Sequence, residues 1–265
     1  MRHKYCEIIK LSMKSILNNK SSVVILVFQA LVPIIVMGYL WSSIFQHGQV
    51  DSDLNKNQLI IYYIGVNFIN FFILYAIDWD LNSAIHSGEL SNIIHRPISI
   101  QSYYFCRMIG DRLANLFLLM PMLIVGFIYL FINKIINISI IDIFKFLITV
   151  VLAAILWFLF SYSIGCLAYW FENLFFVLLV KEVIVQLLSG YYFPISMLSS
   201  FWQKLFKCLP FQYFGSFPAY SLISKTTTLN WVKNIFIELI WIGVFYLLLL
   251  IVNNKGLKQY SDVRG

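Results

Sequence analysis

Charge is what this sequence has least of. Only 12% of its 265 residues are Asp, Glu, Lys or Arg, while 60% are hydrophobic. A soluble globular domain carries about a quarter charged residues and is about half apolar. With 24 Phe, 16 Tyr and 7 Trp, a water-soluble fold of this length could not cover its apolar surface. The expected solvent is a lipid bilayer, and the expected fold class is an all-α membrane protein.

Other absences narrow the function. There is no GxxxxGK[ST] loop, so the chain lacks that backbone cradle for nucleotide phosphates. Neither HExxH, GxSxG nor a pair of intramembrane carboxylates is present, so catalysis by this chain is not expected. Leu188-Ser189-Gly190 superficially resembles the start of an ATPase signature but continues with Tyr191-Tyr192. The four cysteines (Cys6, Cys106, Cys166, Cys208) form no CxxC pair, and the topology below leaves only Cys208 outside, against a disulfide framework. His3, His47, His86 and His95 lack metal-ligand spacing, so no metal or other cofactor is expected here.

The net charge of +7 could suggest nucleic acid, but its placement points to membrane lipid instead. Five of the 19 Lys+Arg lie in the first twenty residues and three in the last eleven. Basic flanks of this kind anchor cytoplasmic segments against anionic headgroups.

A helix needs about 20 apolar residues to cross a hydrocarbon core of about 30 Å. Six runs qualify: Ser22–Ile44, Gln58–Ile77, Leu113–Ile132, Phe144–Trp170, the short Leu174–Ser189, and Trp231–Val252. The first is too long for a signal peptide and has no cleavage site, so it is expected to stay as a span. No internal repeat supports an inverted-repeat carrier. With the N-terminus inside, segments 1–21, 78–112, 170–173 and 253–265 are cytoplasmic and hold eleven Lys/Arg, among them Arg107 and Arg112. The outer loop 45–57 holds only Lys56, beside Asp51 and Asp53. Lys134 and Lys145 at the outer side count mildly against this orientation, and Lys204, Lys207, Lys225 and Lys233 dilute the bias. N-in, C-in is the expected topology.

Four segments carry more than a crossing. In 5–17, Tyr5, Ile8, Ile9, Ser12, Met13, Ile16 and Leu17 recur at helical spacing with Lys10 and Lys14 on another face. This predicts an interfacial amphipathic helix rather than a frayed basic tail. In 78–112, Leu81, Ala84 and Ile85 form one apolar stripe, and Leu90, Ile93 and Ile94 a second. Ser87-Gly88 makes an elbow between them and Pro97 a stop. The stripes are expected to be exposed, covered either by a protein partner or by the membrane surface. In the fifth run, Lys181 and Glu182 each cost about 2.5–3.5 kcal/mol in the bilayer and must face protein or water. They either line a polar pathway or, as spacing favours, tie this helix to another or snorkel inward. Finally, Pro194, Pro210 and Pro218 break the aromatic stretch 190–222 into short helices dipping into the outer leaflet.

These features together resemble the membrane subunits of type-2 ATP-binding-cassette exporters, the bacterial six-span branch of about 260 residues. The likeness runs along the whole chain. Its carriers are the N-terminal amphipathic helix, Gly88-Glu89-Leu90…Ile94-His95-Arg96-Pro97-Ile98, Ser189-Gly190…Phe193-Pro194…Leu209-Pro210-Phe211…Pro218-Ala219, and Gly256-Leu257-Lys258-Gln259-Tyr260-Ser261…Gly265. The final Asp262-Val263-Arg264-Gly265 is more charged than the family's usual ending. The resemblance implies a permease in the bacterial cytoplasmic membrane, paired with a second identical or homologous permease. It implies two copies of a soluble ATPase that binds ATP and Mg. Gly88, Glu89, Leu90, Ile93, Ile94, Arg96 and Pro97 would form the coupling helix against that ATPase. Gly190, Pro194, Pro210, Phe211 and Pro218 would belong to an outer re-entrant gate. The expected cargo is hydrophobic or amphipathic: a peptide, a drug or a lipid-like molecule. An ion-coupled carrier using Lys181 or Glu182, and a non-transporting immunity or scaffold protein, are the alternatives.

Overall fold

The computed structural model describes residues 2–47, 54–132, 139–223 and 227–264. Among these it is helical, with no β-strand. Asp51, Asp53, Lys134, Lys225 and Gly265 lie outside the described residues.

Helix α1 (Arg2–Asn18) leads almost directly into α2 (Lys20–His47). The apolar stripe of α1 does face inward. Ile8 is buried, while Lys10, Lys14 and Leu11 are exposed. It packs against α6 (Ile100–Ile132), where Ser12 Oγ donates to the carbonyl of Arg107 at 3.2 Å and bonds the Asp111 carboxylate. Its partner is thus protein on one side.

The second expected crossing is broken rather than straight. Helix α3 (Lys56–Ile73) ends at Leu74, and α4 (Ile77–Ser87) starts after a kinked link. There the N–H of Tyr75 bonds the Ile73 carbonyl at 2.8 Å, and that of Ile77 bonds the Tyr75 carbonyl at 2.9 Å. Gly88 then adopts φ 79°, a left-handed conformation that glycine takes without Cβ strain, and the chain turns into α5 (Glu89–Ile94).

Helix α7 (Ile140–Gly165) begins at a cap in which Ser139 Oγ accepts from the Ile141 N–H at 3.3 Å. It is the spine of the molecule. Its Trp157 and Phe160 join a core with Tyr62, Ile69, Phe214 and Phe217. Its Phe158, Leu159 and Tyr162 join a second core with Leu81, Leu90, Tyr104 and Leu178. Because lipid tails are as apolar as these side chains, such contacts stabilise through close packing and hydrogen bonds rather than through water release.

After a 3₁₀ turn at Cys166–Tyr169, α8 (Phe175–Leu188) has 14 residues, about 21 Å at 1.5 Å each, short of the full hydrocarbon core. Next come the 3₁₀ turn Ile195–Met197, α9 (Ser200–Cys208), the 3₁₀ turn Pro210–Phe214, α10 (Ser216–Leu222) and α11 (Thr228–Arg264). Among the described residues four stretches are long and apolar enough to cross a membrane: Val23–Ile44, Asn57–Ser87, Ile140–Tyr169 and Thr228–Tyr260. The polar tail does not leave α11. Tyr162 Oη donates to Asn253 Oδ1 at 3.2 Å, and the Tyr260 ring meets that of Tyr169 at 6.1 Å.

Candidate functional site

The apolar stripes of α4 and α5 do not wait for a partner, which corrects the expectation that they are exposed. Leu81, Ala84, Ile85, Leu90 and Ile93 are all buried inside this chain, Leu90 completely. The break after α3 swings α4 so that its apolar side meets α7, and α5 follows over the start of α6. Leu90 and Ile93 therefore hold α5 in place from within the chain. The exposed side carries Glu89, Ile94, Arg96 and Pro97 instead. Arg96 also lies 5.4 Å from the Tyr103 ring, which positions its guanidinium.

The start of α4 is clamped to α7 and α8. Asp78, the second residue of α4, has no solvent exposure. Its Oδ2 accepts from Lys181 Nζ at 2.5 Å, and its Oδ1 from Ser161 Oγ at 2.9 Å. Lys181 Nζ also lies 5.0 Å from the Trp157 ring. One residue on, Trp79 Nε1 donates to Glu182 Oε1 at 2.8 Å. Adjacent residues on α8 point about 100° apart and so reach two neighbouring residues of α4. The kinked link is held too: Trp157 Nε1 donates to the Tyr75 carbonyl at 2.9 Å, and Arg112 to the Phe71 carbonyl. Tyr75 Oη donates to Asp80 at 2.5 Å, and Asp80 pairs with Arg107 at 3.4 Å.

Of the readings the sequence left open for Lys181 and Glu182, the structure has the tie to another helix, and both residues also border a cavity. They tie α8 to α4, and they line a cavity of about 470 Å³ between α2, α3, α6, α7 and α8. Gln29, Asn67, Asn70, Arg112, Asn115 and Gln186 share its wall. Arg112 had looked like a cytoplasmic flanking charge; here its side chain is drawn to the cavity and the α3 backbone. None of the amides was singled out in sequence, although carboxamides in apolar runs are a visible signal.

The segment 190–222 is broken as its prolines require, and most of its described residues are packed. Gly190 is buried at φ 85°, and its carbonyl accepts from Tyr62 Oη at 2.7 Å. Tyr63 Oη donates to the Tyr192 carbonyl at 2.7 Å. Pro194, Pro210 and Pro218 are buried, and the half-buried Phe211 ring meets Phe160 at 6.0 Å. By contrast α9 has no buried residue and exposes Phe201, Trp202 and Leu205. The broken backbone is thus covered by protein while one amphipathic helix stays outside. A residue missed in sequence is Glu238 on α11: fully buried, with neither carboxylate oxygen bonded among the described residues.

All four cysteines are free thiols. Among the described residues, no group of His, Cys, Asp or Glu could hold a metal ion. No curated protein matches the chain. The model of the ABC-2 family transporter proteins matches residues 27–263, from the first turns of α2 to the last turn of α11. A polytopic helical chain of this kind, matched over nearly all its length, belongs to the ABC-2 transporter membrane family, whose members are the permeases that work with ATP-binding partners in ABC transporters.

Proposed function

We propose that this chain is one of two permease subunits, identical or homologous, of an ATP-driven exporter in the bacterial cytoplasmic membrane. It crosses the membrane six times, counting α6 and α8, with both termini inside. Each permease rests on one of two soluble ATPase copies, which bind the ATP and Mg. The cargo is amphipathic. The basic N-terminal flank supports this orientation, as does the clustering of α1, α4, α5 and the α11 tail around Arg107 and the turn Cys166–Tyr169. Glu89, Ile94, Arg96 and Pro97 meet the ATPase, with Gly88 setting the angle of α5.

One observation carries the reading: the Asp78–Lys181 pair, fastened further by Ser161. Because α4 and α5 share a core, a push on the exposed face of α5 moves both. The buried pair then obliges α8 to follow, and α8 forms a wall of the cavity. Packed elements shift between discrete arrangements rather than deforming smoothly, so closure of an ATPase pair becomes a change of the pathway. The outer segments around Gly190, Pro194, Pro210, Phe211 and Pro218 cap the far end.

The test is co-purification of the ATPase with the full permease complex. Glu89→Lys combined with Arg96→Glu reverses two charges on the exposed face and weakens ATPase retention about tenfold or more. Membrane insertion stays normal. Full retention by this variant refutes the contact. Transport by the purified chain alone, collapsing with the proton gradient, establishes the ion-coupled alternative.

A further inference from the structure

The polar cavity does not end where its polar lining ends. Asn67 and Phe71 also line a second, apolar groove between α2, α3 and α6, and Ile34 and Ile64 carry that groove into a third. The progression is regular along both helices. On α2 the lining moves from Leu26 and Gln29 through Ala30 and Ile34 to Trp41 and Ser42. On α3 it moves the opposite way, from Tyr75 back to Leu59. From Ala30 to Ser42 is about 18 Å of helix, comparable with one leaflet's share of a core of about 30 Å.

Charge at the polar end is specific. Lys181 is neutralised by Asp78. Arg112 and Glu182 join no ion pair among the described residues. Among the described residues Arg112 Nε has no hydrogen-bond partner, and Glu182 is bonded to the uncharged Trp79 indole. The Arg112 guanidinium bonds the Phe71 carbonyl and lies 5.0 Å from the Tyr75 ring, so the cavity offers one cation and one anion that have neutral partners but no direct ion pair. The same wall carries the carboxamides of Gln29, Asn67, Asn70, Asn115 and Gln186, each able to donate and accept. Asn115 is 5% exposed, and its Oδ1 is without a partner. Buried polar atoms are ordinarily bonded, so this amide takes its partner, water or a polar ligand group, from the cavity.

We propose that the cavity and the two grooves form one site for a zwitterionic, single-chain amphiphile drawn from the cytoplasmic leaflet. Its anionic group sits on Arg112, its ammonium on Glu182, and its hydrocarbon chain along the α2–α3 groove to Trp41. A purely hydrophobic drug would leave both charges and the amides unmatched. This assignment rests on the permease reading only for the leaflet and the direction of travel.

The probe is a lysophosphatidylethanolamine with bromines at the end of its acyl chain, titrated into the purified full-length chain in a sugar-headed detergent. Trp41 lines the third groove, so a chain lying there quenches its fluorescence. The expected result is saturable quenching, largely lost in Trp41→Phe. The same brominated chain on an uncharged glycerol head or an anionic phosphoglycerol head binds about tenfold more weakly. Arg112→Gln and Glu182→Gln each remove that preference, Arg112→Lys retains part of it, and a single cooperative thermal unfolding transition shows that the variants are folded. Ile64→Phe narrows the groove and weakens all three probes alike. Equal affinity for the uncharged head overturns the proposal, as does unsaturable quenching or quenching unaffected by Trp41→Phe. Because no ATPase enters this titration, its failure leaves the permease reading intact, and loss of ATPase co-purification leaves this one intact.

Discussion

Replacing Lys181 by Met tests the clamp between α4 and α8 most directly. Asp78 is fully buried, and the Lys181 side chain is 5% exposed. Removing one partner of a buried pair typically costs about 3–5 kcal/mol, because the other charge is left uncompensated. Asp78 keeps the Ser161 hydroxyl as a donor, which places the expected loss near the lower figure. Asp78→Asn alone strands the ammonium over Trp157, where the ring face offsets part of the cost, and should lose about 2–3 kcal/mol. The double variant, Asp78→Asn with Lys181→Met, removes both charges and leaves Ser161 a neutral acceptor. It should recover most of the stability. The assay is a double-mutant cycle on unfolding in mixed micelles, run beside ATP-driven transport by the assembled complex. Stability should return in the double variant while transport does not, because a neutral contact no longer forces α8 to follow α4. A Lys181→Met loss below about 1 kcal/mol, or a double variant no better than the worse single, would refute the buried-pair argument.

Three further outcomes follow from particular contacts. Gly190→Ala forces a Cβ to within 2.7 Å of Tyr62 Oη at φ 85°, so unfolding should ease by about 1–3 kcal/mol, measured by thermal melting. Gly256→Ala places a Cβ at 2.1 Å from the Tyr169 ring; it should destabilise by about 1–3 kcal/mol and be relieved by Tyr169→Leu, read by the same melts. Glu238→Met exchanges an unbonded buried carboxyl for an apolar chain of similar size and should stabilise by about 1 kcal/mol or more, with a higher melting temperature as the readout.

Long apolar runs made the positions of several helices legible. Ser22–Ile44 lies within α2, and Leu174–Ser189 is α8 with one residue added at each end. The elbow at Gly88 was legible as well, since few residues other than glycine take a positive φ without strain. The break at Leu74–Ala76 was not, because no proline or glycine marks it and its anchors, Trp157 and Arg112, come from distant helices. For the same reason the stripe of Leu90 and Ile93 could be read as apolar but not assigned a direction. Spacing gave Lys181 and Glu182 different directions but could not supply Asp78 and Trp79 as their destinations. Arg112 misled most: near a span end a cation reads as a membrane anchor, and only the fold reveals that it faces a cavity.

The clamp also has a consequence for biogenesis. Asp78 and Lys181 are 103 residues apart, so the carboxylate is made long before its partner. At roughly 5–20 residues per second, that interval is about 5–20 s. Throughout it, the nascent α3–α4 segment carries an acid that lipid will not tolerate, and it must stay beside the insertion machinery or at the aqueous surface until α8 arrives. Slowing synthesis between the two positions should therefore expose the unfinished chain to membrane proteases, with no change in its sequence.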